Sequence, residues 1–189
     1  MKPENLSLQN HYLIAMPALA DFNFSHAVVY ICAHNDEGAM GIVINRPLMD
    51  LKLGEVLSQL NIESDKSELV NLPVYLGGPV QPERGFIIHR PNDSWQSTLV
   101  MSDEVGVTSS QDILFAMVEG QGPEEFLVTL GYAGWEPGQL EEELSSNLWL
   151  TAPADPSILF DTPVERRWEK AAASLGVDIN KLSSDSGHA

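Results

Sequence analysis

The chain of 189 residues predicts an α+β domain. Three observations carry that expectation: β-branched and apolar runs crowd the first half, helical periodicities come singly between them, and no regular strand-helix alternation builds a doubly wound parallel sheet. A chain of this length can bury about 70% of the surface exposed when unfolded. One domain is therefore expected over residues 1–180, with a disordered tail over 181–189 that takes in the polar end SSDSGHA.

Each element has its own reason. YLIAM (12–16) and HAVVYICAH (26–34) are strand-like, and GAMGIVINR (38–46) follows Asn35-Asp36-Glu37-Gly38, a turn-forming cluster that predicts a hairpin. In 26–34 both alternating sets are apolar at the centre, Val28, Tyr30 and Cys32 against Ala27, Val29, Ile31 and Ala33, so this strand should be central and covered on both faces. LGEVLSQLN places Leu53, Val56, Leu57 and Leu60 on one helical stripe. PVYLG, RGFIIH and TLVM (98–101) read as short strands, and Thr108, Ser109 and Ser110 offer N-cap oxygens to a helix reaching about Gly120. EFLVTLGYAGW (125–135) is a further strand. PGQLEEELSSN starts a helix whose Glu141, Glu142 and Glu143 fall early, where the helix dipole favours acids. WLTAP and SILFD are the last strand candidates, and Thr162-Pro163-Val164-Glu165 has the form of a capping box opening a helix with Val164, Trp168, Ala171, Ala172 and Leu175 buried and Gly176 at its end.

Composition limits function. The 43% hydrophobic and 20% charged content belong to an ordinary soluble protein. No apolar run approaches the roughly 18 residues of a membrane span. Polar Glu4, Asn5, Gln9 and Asn10 interrupt any apolar leader in MKPENLSLQNHYL, and the single Cys32 allows neither an internal disulfide nor a cysteine-built zinc site, so a cytoplasmic setting is expected. The formal net charge is −17, with 16 acids against 4 bases after residue 100 and no Lys or Arg between Met101 and Glu165. Phosphate backbones and anionic membranes are gripped by clustered cations, so neither direct nucleic-acid nor membrane binding is expected.

Motifs exclude more than they assign. Neither G-x-x-x-x-G-K-[ST] nor G-x-G-x-x-G occurs, and Pro79 after Gly77-Gly78 has no N–H to offer an anion. No serine lies in G-x-S-x-G, and there is no H-E-x-x-H. If His26 and His34 end one strand they stand roughly 26 Å apart, too far to share an ion, so no metal and no cofactor are expected. His89 in GFIIHR reads either as a hydrogen-bonded strand residue or as a base. The paired acids Asp103-Glu104 and the run Glu141-Glu142-Glu143 read as solvated faces. What remains is a set of special backbone positions next to arginines: Asn45-Arg46-Pro47 and Gly77-Gly78-Pro79 after strands, and Arg84-Gly85 opening another. An arginine fork suits carboxylate or phosphate, yet in so acidic a chain internal ion pairs compete for Arg46 and Arg84. Gly131 and Gly134 mark either bulges or close backbone approaches.

Three stretches, MGIVINRP (40–47), VYLGGPVQPERGFIIH (74–89) and LGYAGWEPGQLEEEL (130–144), resemble in order and spacing the bacterial YqgE/AlgH family over nearly the whole chain, up to about Leu175. The resemblance implies a bent, bifurcated, mostly antiparallel sheet approaching a pseudo-barrel and flanked by helices. It also brings a label of transcriptional regulator, which the charge opposes, since no helix presents a basic recognition face. Carried onto this chain the motifs nominate Asn45, Arg46, Gly77, Gly78, Pro79, Arg84, Gly85, Gly134, Trp135 and Gln139, to which the residue reading adds His89. The expected function is a binding or regulatory protein without a cofactor, whose Gly/Pro/Arg loops line a cleft for a small anionic ligand or a protein segment. The alternatives are a hydrolase-like enzyme using the same cleft through His89 or an acid, and a transcriptional regulator acting through protein partners.

Overall fold

The sheet of this chain divides at one strand. The computed structural model describes residues 7–91 and 94–182. Residues 1–6 of the stretch argued to lack a leader, and 183–189 of the expected tail, lie outside them.

His11–Ala15 (β1), Val28–Asn35 (β2) and Gly38–Val43 (β3) pair antiparallel, with β2 and β3 joined by the expected turn. Strands Pro47–Lys52 (β4), Pro73–Leu76 (β5), Val80–His89 (β6), Thr98–Val100 (β7), Gly106–Thr108 (β8), Phe126–Trp135 (β9) and Trp149–Pro153 (β10) complete a ten-stranded sheet. The order is β10-β1-β2-β3-β9-β6-β8-β7, with β4 and β5 off this path. β6 lies antiparallel along one side of β9. Away from β6, β3 pairs with Ala133–Trp135 and β5 runs parallel to Val128–Leu130. One strand thus feeds two diverging sheets, and the result is a curled half-barrel.

The two-sided apolar pattern of β2 explains the layers. Val28, Tyr30 and Cys32 enter the core inside the curl with Tyr12, Ile14, Ile42 and Ile44. Val29 and Ile31 face a second core with Leu13, Trp135, Leu140 and Trp149. A third core lies where helices Leu53–Gln59 (α1), Ser67–Val70 (α2) and Asp112–Val118 (α3) press Leu53, Leu57, Leu69, Ile113 and Met117 onto Val74, Ile87 and Val128. Gln139–Ser145 (α4) supplies Leu140 to the second core. Pro156–Phe160 (α5), Arg167–Ala173 (α6) and Ile179–Leu182 (α7) fill the curl with Ile158, Leu159, Trp168, Ala171, Ala172 and Ile179. Lys181 and Leu182, assigned above to the tail, belong to α7.

Several local expectations are corrected. SILFD is helix, not strand: Asp155 accepts from the Ser157 N–H at 2.9 Å and Pro156 opens α5, a start signal that outweighs the apolar run. Thr162 does not cap the helix after it, because its hydroxyl donates back to the Ser157 carbonyl at 2.9 Å, and Val164–Arg166 forms a 3₁₀ turn before α6. Leu175 is 40% exposed rather than part of the buried stripe. Thr108 ends β8, and α3 begins without a side-chain cap. His26 stands before β2, in a left-handed turn with φ 60°. β6 begins at Val80, so Arg84 and Gly85 lie within it. β4, whose apolar pattern is irregular, and β8, only three residues long, have no counterpart among the expected strands.

Candidate functional site

Gly77, Gly78 and Pro79 cross β9. They connect β5, on one side of that strand, with β6 on the other. The crossing needs backbone against backbone: a Cβ on Gly77 would stand 2.4 Å from the Gly131 carbonyl oxygen, one on Gly78 2.1 Å from the Tyr132 carbonyl carbon, and one on Gly131 2.4 Å from the Gly78 oxygen. The Gly77 N–H donates to Leu130 O and the Val43 N–H to Gly77 O, both at 2.7 Å, which stitches the notch where β3 and β5 part. The paired glycine therefore approaches another piece of chain, with Pro79 exposed beside it.

Other nominated residues are likewise engaged with backbone. Asn45 replaces a rung of the ladder, its Oδ1 accepting from Val28 N at 2.9 Å and its Nδ2 donating to His26 O at 2.8 Å. Arg46 donates to the carbonyls of Asn23, Ser25 (3.0 Å) and Phe22 (3.4 Å), holding the loop before β2 with no carboxylate among these partners. Trp135 is buried against Phe24 and Trp149, with ring centroids 6.1 and 6.3 Å away. Gln139 accepts from the Glu136 N–H at 2.9 Å at the start of α4. Gly134 is exposed opposite Met40, and a Cβ there would meet nothing closer than 3.9 Å.

His89 is fully buried at the end of β6. Its Nδ1 faces the Arg90 carbonyl at 3.1 Å, and a carbonyl only accepts, so that nitrogen carries the proton. Nε2 is then left to accept from the Thr108 hydroxyl at 2.7 Å, Thr98 donates to Thr108 at 2.8 Å, and Thr98 accepts from the Trp95 N–H at 2.9 Å. Every member is satisfied only while His89 is neutral. Burial lowers its pKa, with the Arg90 carbonyl opposing in part. The ring has no open atom for substrate, which removes the proposed base. Because the folded pKa is depressed, this histidine's stabilising contribution is full above about 6.5, its ordinary value, and is lost as pH falls below it. His89→Asn is expected to cost about 1–3 kcal/mol at pH 7.5, from the orphaned Thr108 hydroxyl. The difference from wild type should narrow towards pH 5 in urea titrations, and a constant difference would contradict the neutral ring.

Arg84 and Gly85 behave differently. They line a cleft of about 350 Å³ whose floor is Val56, Leu60, Ile87, Leu114, Val128 and Leu130. Gln59, Glu83, Ser109 and Gln111 stand round them, together with Ser110. The hydroxyl of Ser110 is spent, accepting from the Ser97 N–H and donating to Asp112. The Arg84 guanidinium is exposed, lies 5.1 Å from the Phe86 ring centre and makes no ion pair among the described residues. Asn45, Arg46, the Gly77–Pro79 crossing, His89, Gly134, Trp135 and Gln139 do not line this cleft. The wall residues Ser109 and Gln111 were missed, because the Thr-Ser-Ser sequence resembled a helix cap. Among the described residues no group of three His, Cys, Asp or Glu could hold a metal ion, and no helix is long and apolar enough to cross a membrane.

Residues 12–180 match the AlgH-like family. The chain belongs to this family. A UPF0301 protein of Nitrosococcus oceani is 53% identical over 181 residues, covering 96% of both chains, and one of Thioalkalivibrio sulfidiphilus is 55% identical over 180, covering 95% of this chain and 96% of its own. The solution structure of the AlgH protein from Pseudomonas aeruginosa superposes with a TM-score of 0.80 at 51% identity, over 100% of each chain. Protein DIP2367 of Corynebacterium diphtheriae shares the fold at 18% identity, with a TM-score of 0.73 over 97% of this chain and 94% of its own. The divided sheet is thus the AlgH-like fold, and the expectation of a bent, bifurcated, mostly antiparallel α+β domain holds.

Proposed function

We propose that this AlgH-like protein is a binding protein that takes a small anionic ligand with an apolar body in the Arg84 cleft. The observation that carries the reading is a guanidinium without an ion pair among the described residues, set at the mouth of an apolar cleft. Lys52, Arg166 and Lys170 are likewise exposed without an ion pair among the described residues, but none of them lines this cleft. Apolar floor and single cation suit a carboxylate or phosphate joined to a hydrocarbon or ring, with Ser109 and Gln111 as further donors. A hydrolase-like reading has less support, because the best base is sealed within the Thr98–Thr108–His89 relay. Direct nucleic-acid binding stays disfavoured by the charge.

A thermal-shift screen of anionic metabolites tests this, since a ligand bound only to the folded form raises the melting temperature. Loss of one charge-assisted contact is worth about 1.5–3 kcal/mol, so Arg84→Ala should weaken any ligand found about 10–100-fold. Ligands that shift wild type and Arg84→Ala equally would place the binding elsewhere.

A further inference from the structure

A second depression, with no lining residue in common with the Arg84 cleft, lies between α2, the end of α3, the start of β9 and α5, and it encloses about 750 Å³. Its floor is Leu69, Leu72, Met117, Phe126, Leu127 and Phe160. Asp65, Glu68, Glu124 and Glu125 stand on the walls against two cations, Arg90, whose guanidinium lies 5.1 Å from the Phe160 ring centre, and Lys66. Lys66 is drawn aside: its ammonium would lie 3.2 Å from a Cβ placed on Gly120, just beyond the carbonyl end of α3. Glu125 is held by Arg90 at 2.7 Å, but Asp65, Glu68 and Glu124 make no ion pair among the described residues. No Lys or Arg occurs between Met101 and Glu165, the stretch that supplies Met117, Glu124, Phe126, Leu127 and Phe160, so these walls bring no cation of their own.

We propose that this groove docks an amphipathic, basic segment of a partner protein, large apolar side chains on the floor and Lys or Arg against Asp65, Glu68 and Glu124. Charge complementarity selects that occupant. Unpaired carboxylates round an apolar surface attract cations over about a Debye length and repel anionic partners. A second copy of this chain would bring a further −17 against an acidic rim, which disfavours self-association. Leu72, Phe126 and Phe160 are half-buried and offer the floor's apolar surface to the anchors of an amphipathic helix. The inference stands on different residues from the anion cleft and survives that reading's failure.

The probe is a fluorescein-labelled Leu/Lys peptide patterned as one amphipathic helix, titrated by anisotropy, with its Leu/Glu counterpart as comparison. Wild type should bind the basic peptide at least ten-fold tighter than the acidic one, and added salt should weaken it. The combined variant Asp65→Lys, Glu68→Lys, Glu124→Lys should lose at least ten-fold, and the milder Asp65→Asn, Glu68→Gln, Glu124→Gln, which keeps side-chain shape, should lose affinity in the same direction. A control with Glu37→Lys, Asp103→Lys and Glu136→Lys has the same net charge as the first variant and should bind like wild type. Equal losses in the first variant and the control would reduce the effect to net charge and overturn the proposal. Equal binding of both peptides would overturn it too, as would sedimentation of wild type as a dimer that the first variant dissociates.

Discussion

Gly131→Ala is expected to destabilise the protein by about 3 kcal/mol, lowering the melting temperature by roughly 6–12 °C for a chain of this size. Two effects add. Gly131 has φ 79°, which costs an alanine about 1–2 kcal/mol. The new Cβ would also meet three backbone groups that no rotamer change can clear: the Gly78 oxygen at 2.4 Å, the Pro82 Cα at 3.2 Å and the Val80 oxygen at 3.3 Å. Relief requires the β5–β6 crossing to lift from β9, where it supports the junction of both sheets. Gly134→Ala, three residues along the same strand, is the comparison, since its Cβ would find only an ordinary contact at 3.9 Å. That change should stay within about 0.5 kcal/mol. Calorimetry on both variants decides the matter, and a loss below about 1 kcal/mol at Gly131 would mean that the crossing yields more easily than its geometry implies.

Arg167→Ala should cost about 3 kcal/mol by urea unfolding. Arg167 is 5% exposed and makes no ion pair among the described residues. Its Nε donates to Thr162 O at 3.2 Å, its Nη1 donates to Ile44 O, and its guanidinium lies 5.2 Å from the Tyr75 ring centre. One side chain therefore fastens α6 to the segment after α5 and to the end of β3. Each charge-assisted bond is worth about 1.5–3 kcal/mol, and relief of the buried charge returns part of it. Arg167→Lys should fall between, because an ammonium cannot present the planar fork that spans two carbonyls. An alanine variant as stable as wild type would show that desolvation cancels the bonds.

Neither the need for Gly131 nor the burial of Arg167 can be read locally. Glycine inside a strand signals a bulge or a close approach, and both meanings stayed open until Gly78 was seen against Gly131 across 53 positions of chain. Arg167, followed by Trp168 and Glu169, has no sequence mark separating it from exposed Arg166; helical rotation and the position of Ile44 decide. The β2–β3 hairpin and the double-faced strand at its centre were legible, because alternation is a local property that both cores require. SILFD reads as a strand because three apolar residues in a row serve strand and helix equally, and Asp155-Pro156 decides for the helix.

The candidate site was legible in part. Gly77, Gly78, Asn45 and Arg46 stand out in the sequence as unusual positions that suit either a ligand or another piece of chain, and the demand comes from chain crossing chain and from ladder repair. Arg84 and Gly85 do reach a cleft, whereas its other walls come from α1 and from the turn before α3.

Composition and periodicity by themselves determined an α+β chain with a central two-faced strand, and an acidity that disfavours polyanions; these depend on residue type and spacing alone. Only the tertiary structure decided which arginine is buried, which glycines are sterically obligatory, and where acids gather round an apolar floor. Each of those depends on what distant segments bring within a few ångströms, a property that no short window of sequence contains.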